Sequence, residues 1–337
     1  MDFHDKRYDS IQALRGIAAL FVVLEHVRFL NCGAFGVDVF FCISGFMIMF
    51  STHKSTEHFL AKRLIRILPF YYIMTFGTYI LLLIFPASFT HTKAEPLFLV
   101  KSLLFLPFDI GGGAVQPLLR VGWTINYEIF FYLLFFVSLR ISRKYRGLIC
   151  GILILFLVSL GCLMPLDSVP YTFYTDPILM EFLFGILAYY LCRRLYELHR
   201  TEKLPKACMP FSLASASLCL LGLIATKPYL SELLASYRFA LWGLSALLLV
   251  LCFFVMGLYL KTPTVLVNLG NISYSLYLLH YYPVTFLDRM VFNFESFSFA
   301  GLLGGVIGLA VSVTLAVIGH ELIEKRLTGW IRARVLR

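Results

Sequence analysis

Four side chains set in strongly apolar sequence could do acid-base chemistry: His26, Asp38, Glu128 and His280. In a low-dielectric site, carboxylates and histidines are the groups whose proton affinity burial and neighbours can bring towards the operating pH. Three arginines, Arg15, Arg63 and Arg66, carry planar forks of donors that suit phosphate. Placing any of these groups in hydrocarbon costs about 2.5 to 3.5 kcal/mol on insertion scales, so each is expected to face protein or water.

The elements that would hold them read as membrane helices. Arg15 and His26 lie eleven residues apart in one apolar run, Ile11 to Leu30. At 100° per residue that spacing is about 20° beyond three turns, so both share one face, roughly 16 Å apart along the axis. A turn near Cys32 to Phe35 and a second helix, Val37 to Phe50, would bring Asp38 back to the depth of His26, within reach of the imidazole. Glu128 and Tyr132 share a face at i and i+4 of a later helix, and Arg63 and Arg66 share one at i and i+3. Ser273, Tyr277 and His280 form a single polar stripe on another. Blander readings stand beside each: Arg15 as a snorkelling anchor, Asp38 as a helix-start cap, Glu128 as a packing partner, His280 as part of an interfacial tyrosine belt.

Composition supports a polytopic all-α membrane protein. Of 337 residues, 60% are hydrophobic and 14% charged, against roughly 25% charged in soluble domains. Ten spans with both termini cytoplasmic account for the chain as one membrane-embedded domain: Ile11 to Leu30, Val37 to Phe50, Ile67 to Phe85, Gly122 to Leu139, Gly147 to Met164, Pro177 to Cys192, Ala207 to Thr226, Tyr237 to Leu260, a ninth from Thr264, and Phe299 to Ile323. Most of the 29 Lys and Arg then fall in inside segments, so the net charge of +10 is topological and predicts no nucleic-acid partner. Pro69 would be a first-turn proline. The fifth, seventh and eighth spans read as uncharged packing helices. Residues 86–121 read either as a loop or as a re-entrant segment roofing an outer cavity. The first apolar run lacks a cleavage site and should stay as a span. The eight cysteines follow no disulfide or zinc spacing. A cationic inner mouth and an outer acid-base cluster would suit a donor with phosphates at one end and a thioester at the other, as in an acyl-CoA.

The order of Arg15 and His26, GVDVFFCISGF (Gly36 to Phe46), RLIR (Arg63 to Arg66), WTINYEIFFY (Trp123 to Tyr132), FLFG (Phe182 to Gly185), GNISYSLYLLH (Gly270 to His280) and IEKR (Ile323 to Arg326) resembles the membrane acyltransferase-3 family. The fourth motif is most similar to the exopolysaccharide, succinoglycan-type O-acetyltransferases. That resemblance implies a ten-span core in the bacterial inner membrane, acetyl-CoA as cytoplasmic co-substrate with no bound cofactor, and acylation of a hydroxyl on a surface carbohydrate, often lipid-linked. On this chain Arg15 and His26 match the family's first-span pair, and Arg63 and Arg66 its basic donor-side motif. The family's usual Pro after the final Glu and basic residue is missing at Glu324 and Lys325, which suggests a structural role for Glu324; His320 reads as structural too. No appended soluble domain is expected. In the mechanism this implies, His26 is the general base, Asp38 or Glu128 orients it, and Trp123, Tyr277 and His280 hold the sugar or polarise the carbonyl. An acetyl-histidine intermediate is the rival route. A transporter or flippase for lipid-linked sugars, with His26 and Asp38 as a proton relay, is the rival class.

Overall fold

The computed structural model describes residues 3–5, 8–86, 92–226, 237–292 and 298–336. Their regular elements are all helices, and among them the only β pairing is an isolated antiparallel bridge between Asp109 and Val115. The helices are α1 (Asp9–Glu25), α2 (Gly36–Ser51), α3 (Phe59–Ile84), α4 (Pro96–Leu103), α5 (Trp123–Ile141), α6 (Arg146–Leu163), α7 (Val169–Tyr174), α8 (Met180–Arg200) and α9 (Cys208–Thr226). A π turn, Phe239–Gly243, leads into α10 (Leu244–Tyr259), followed by α11 (Thr264–Asn271), α12 (Ser273–Leu279), α13 (Tyr281–Leu287), α14 (Phe299–Gly319), a π segment His320–Leu327 and α15 (Thr328–Val335).

Six helical stretches among the described residues are long and apolar enough to cross a membrane: 59–84, 120–141, 146–163, 208–225, 239–259 and 299–335. The other four expected spans fall on different material. α1 and α2 have 17 and 16 residues, α8 ends in a charged run from Arg193 to Arg200, and the ninth is divided at Ile272 and His280. Helical hydrogen bonds run through both divisions, from Leu276 N–H to the Ile272 carbonyl (2.9 Å) and from Val284 N–H to the His280 carbonyl (3.2 Å). Short or polar spans are the ones that neighbours must shield, because lipid alone would leave their ends or charges unsatisfied.

The chain divides into two compact units: Met1–Thr56 with Ile178–Val313, and Glu57–Pro177 with Thr314–Arg337. In the first, α2 packs on α8, and α1 on α2 and α11. A Cβ on Gly45 would lie 2.2 Å from the Phe182 carbonyl oxygen, and one on Gly185 2.0 Å from that of Cys42. Glycine at both positions lets α2 and α8 touch backbone to backbone, the van der Waals packing that holds helices together where solvent offers no hydrophobic drive. The same device joins α1 to α11, where a Cβ on Gly270 would lie 1.9 Å from the Gln12 carbonyl oxygen. Beside it, Gln12 Nε2 donates to Asn271 Oδ1 at 3.2 Å.

In the second unit, α3 packs on α4, α5 and α15. Tyr71 and Tyr72 donate their hydroxyls to the carbonyls of Ser102 (3.0 Å) and Leu103 (3.1 Å), and Ser102 Oγ accepts from Leu118 N–H at 3.0 Å. Leu82, Phe108, Ile110 and Leu118 form a buried cluster with Phe98 and Leu99 against it. The described part of 86–121 is therefore folded onto α3 rather than a free loop. Its glycine turn is stabilised by Asp109, whose carboxylate accepts from Gly111 and Gly113 N–H at 2.7 and 3.2 Å. Gly111, Gly112 and Gly113 all have positive φ, the conformation that glycine alone adopts without strain.

Two boundaries differ from expectation. α3 starts at Phe59, so Pro69 lies inside the helix, not in its first turn. The basic RLIR stretch is polar enough to leave an apolar scan, yet its residues form helix and extend α3 at its N-terminal end. α1 ends at Glu25, which makes His26 its C-cap and not an internal residue. The cause is local: Glu25 reaches forward, and its carboxylate accepts from Gly33 and Ala34 N–H at 2.8 and 2.9 Å, folding the following turn back onto α1.

Candidate active site

His26 meets His280. Its Nδ1 lies 2.9 Å from the Val22 carbonyl oxygen, one turn back, and 3.2 Å from His280 Nε2. The His280 ring is fully buried, 0% exposed, and its Nδ1 lies 3.0 Å from the Leu276 carbonyl oxygen. Both nitrogens of His280 are thus engaged by the protein. The rings meet edge to face at 4.8 Å, and Tyr281 closes on His26 from another side at 5.4 Å. α1 and α12 can bring these rings together because the Gly16 and Gly270 backbones touch further along: a Cβ on Gly16 would be 2.7 Å from Gly270 N. Gln12 faces Asn271 and His26 faces His280, so the two stretches run in the same direction. The expected stripe is buried as a whole, with Ser273 at 0% and Tyr277 at 8% exposed. Tyr277 lies edge to face with Phe40 at 5.8 Å and 6.0 Å from the His280 ring. Arg15 sits half-buried on α1.

Asp38 takes a different partner from the one expected. It is fully buried in the first turn of α2, and both its oxygens accept from Arg238, at 3.0 Å from Nε and 2.9 Å from Nη2. The Arg238 guanidinium also lies 4.9 Å from the Trp242 ring. A fork-to-carboxylate pair of this kind satisfies a charge that would otherwise be buried alone. The carboxylate is given to Arg238 rather than to the imidazole. A second ion pair, Arg28 to Asp288 at 2.7 Å, ties the turn after His26 to the end of α13.

Glu128 belongs to a different cluster, in the second unit. The Tyr132 hydroxyl donates to its carboxylate across one turn of α5. Arg63 lies over the Tyr132 ring, 5.8 Å from its centre, and over Phe59 at 5.9 Å. Arg66 is close enough to act electrostatically on both Arg63 and Tyr132. The structure therefore places Glu128 with the arginine pair. Trp123, the first residue of α5, packs edge to face on Tyr127 at 6.0 Å. Also in this unit, His320 Nδ1 lies 3.3 Å from Glu324, and Lys325 pairs with Glu321.

Sequence reading missed Arg238, which opens a span taken as uncharged, and Glu25, which sets the turn after His26. The signal for Arg238 was available: a carboxylate inside a span needs a cation of matching depth. Among the described residues no group of three or more His, Cys, Asp or Glu could hold a metal ion, and all eight cysteines are free thiols.

Helices of membrane-spanning length, an imidazole pair and an arginine-carboxylate pair within the helices describe a membrane protein. The chain belongs to the acyltransferase-3 family, whose model, described as an acyltransferase domain, matches residues 8–321. It is 36% identical over 165 residues to the exopolysaccharide production protein ExoZ of Rhizobium meliloti (strain 1021), covering 46% of this chain and 50% of that one. It is 25% identical over 358 residues to YrhL of Bacillus subtilis (strain 168), provisionally named a peptidoglycan O-acetyltransferase, covering 96% of this chain and 55% of that one. It is 28% identical over 206 residues to the O-acetyltransferase OatA of Staphylococcus aureus (strain NCTC 8325 / PS 47), covering 53% and 34%. The chain spans about half the length of the first curated relatives it matches, and no solved structure matches it.

Proposed function

We propose that this chain transfers an acetyl or other short acyl group from a cytoplasmic acyl-CoA to a hydroxyl of a bacterial surface carbohydrate, an exopolysaccharide or its lipid-linked precursor. The observation that carries the reading is the imidazole pair of His26 and His280 at the end of α1, in a chain of the acyltransferase-3 family. The names of ExoZ, YrhL and OatA support a carbohydrate acceptor and O-acetyl transfer.

In this reading His26 is the general base. The acceptor oxygen attacks the thioester carbonyl carbon while its proton passes to a ring nitrogen of His26. The tetrahedral intermediate collapses with loss of the C–S bond, and the leaving thiolate takes the proton back from the imidazolium. Direct transfer needs one base and no covalent enzyme intermediate. Arg63 and Arg66 bind the donor phosphates, which guanidinium groups hold through two parallel donors. Glu128 and Tyr132 hold the Arg63 side chain in place.

The test uses membrane vesicles containing the protein, acetyl-labelled acetyl-CoA, and glycan purified from cells lacking the chain and stripped of ester groups. Label should appear as alkali-labile acetate on the glycan, with none for His26→Ala. Label trapped on washed protein without glycan would contradict direct transfer, and no label on glycan with the native chain would sink the acceptor assignment.

A further inference from the structure

We propose that His280 is a positioning residue: it does not hold the sugar but fixes which nitrogen of His26 carries the lone pair. The inference rests on His26 being the base. Its argument is a count of protons. A carbonyl oxygen only accepts, so His280 Nδ1, 3.0 Å from Leu276 O, carries the hydrogen. In a neutral ring the other nitrogen is then an acceptor, and His280 Nε2 presents its lone pair to His26 Nδ1 at 3.2 Å. The Val22 carbonyl presents a second acceptor to the same atom at 2.9 Å. Two acceptors on one nitrogen require a hydrogen between them, so His26 is protonated at Nδ1 and its lone pair is on Nε2. The other tautomer would set three lone pairs against one another, the His280 one on a fully buried ring.

The arrangement serves proton transfer in both directions. When His26 takes a proton at Nε2, its Nδ1–H keeps both acceptors, and the charge that develops is stabilised without movement of the ring. No carboxylate is required for this: the acceptor that a triad draws from an aspartate comes here from a backbone carbonyl and a second imidazole. The register that delivers His280 is set by the close approach of Gly16 and Gly270 and by the Gln12 to Asn271 hydrogen bond. Burial of His280 at 0% exposure leaves no surface for a sugar to reach.

Solid-state nitrogen NMR of histidine-labelled protein in lipid bilayers reads the tautomer directly, with His26→Gln used only to assign the signal. The native protein should show His26 protonated at Nδ1 alone. His280→Gln, whose Oε1 reaches the place of Nε2, should keep that tautomer and most of the acetyl transfer to the stripped glycan. His280→Phe should give mixed tautomers and lower kcat by about 10²-fold, part of what a general base supplies, with KM for the glycan unchanged. A native His26 protonated at Nε2 would overturn the proposal. So would a His280→Phe protein whose KM for glycan rises while kcat is kept, which is the signature of sugar binding. The spectrum is recorded without donor or acceptor, so a chain that failed to acetylate would still report the tautomer, and the two readings can fail separately.

Discussion

Two imidazoles 3.2 Å apart share one hydrogen, and that hydrogen decides which face of His26 can act as a base. Removing the ring altogether, in His26→Ala, should lower acetyl transfer by 10²- to 10⁴-fold, the range general-base catalysis supplies, with thermal stability in detergent little changed. The arginine stacked on Tyr132 should tolerate Lys poorly, because an ammonium keeps the charge but loses both the planar stack and the two-donor fork. Arg63→Lys is expected to raise KM for acetyl-CoA about tenfold, or roughly 1.4 kcal/mol, with kcat kept; an unchanged KM would remove Arg63 from the donor site. Contacts within one helix were legible in advance: Glu128 and Tyr132 follow from i and i+4. The partner of Asp38 was not, since Arg238 lies 200 positions away and only tertiary packing selects it over His26.

Helices meet through glycines at the places where function depends on register. Gly45→Val should clash with the Phe182 carbonyl and force α2 from α8, costing at least the 1 to 3 kcal/mol typical of overpacking; a lowered melting temperature in detergent would show it. The Asp38 to Arg238 pair joins the start of α2 to the turn before α10. Asp38→Ala should cost about 3 to 5 kcal/mol, because it removes the carboxylate whose two oxygens both pair with a partly buried guanidinium. Replacing both residues by apolar ones of similar size should recover most of that loss, and a double variant no more stable than the single one would show that the pair is not what holds these elements. Helix identity was readable from apolar runs, while helix ends were not. A hydropathy pattern cannot register that Glu25 would reach forward to hold the loop, or that the polar RLIR would continue α3 through Pro69.

The distribution of Lys and Arg predicts the same side for both ends of the chain, across an even number of crossings. A fluorescent protein fused after Arg337 should fold and fluoresce, and alkaline phosphatase fused there should be inactive; the reverse pattern would refute a cytoplasmic C-terminal end. The six long apolar stretches were evident from hydropathy, while His26 and His280 lie on helices that are shorter or interrupted. Membership of the acyltransferase-3 family was legible because seven motifs occur in one order along the chain. The acceptor was not, because sugar recognition is written in contacts that no spacing rule captures. Mass spectrometry of surface glycan from cells with the native chain, with His26→Ala and with the chain deleted bears most directly on the proposed reaction. The native cells should carry acetyl groups that both other strains lack equally, and glycan acetylated alike in all three would contradict the reading.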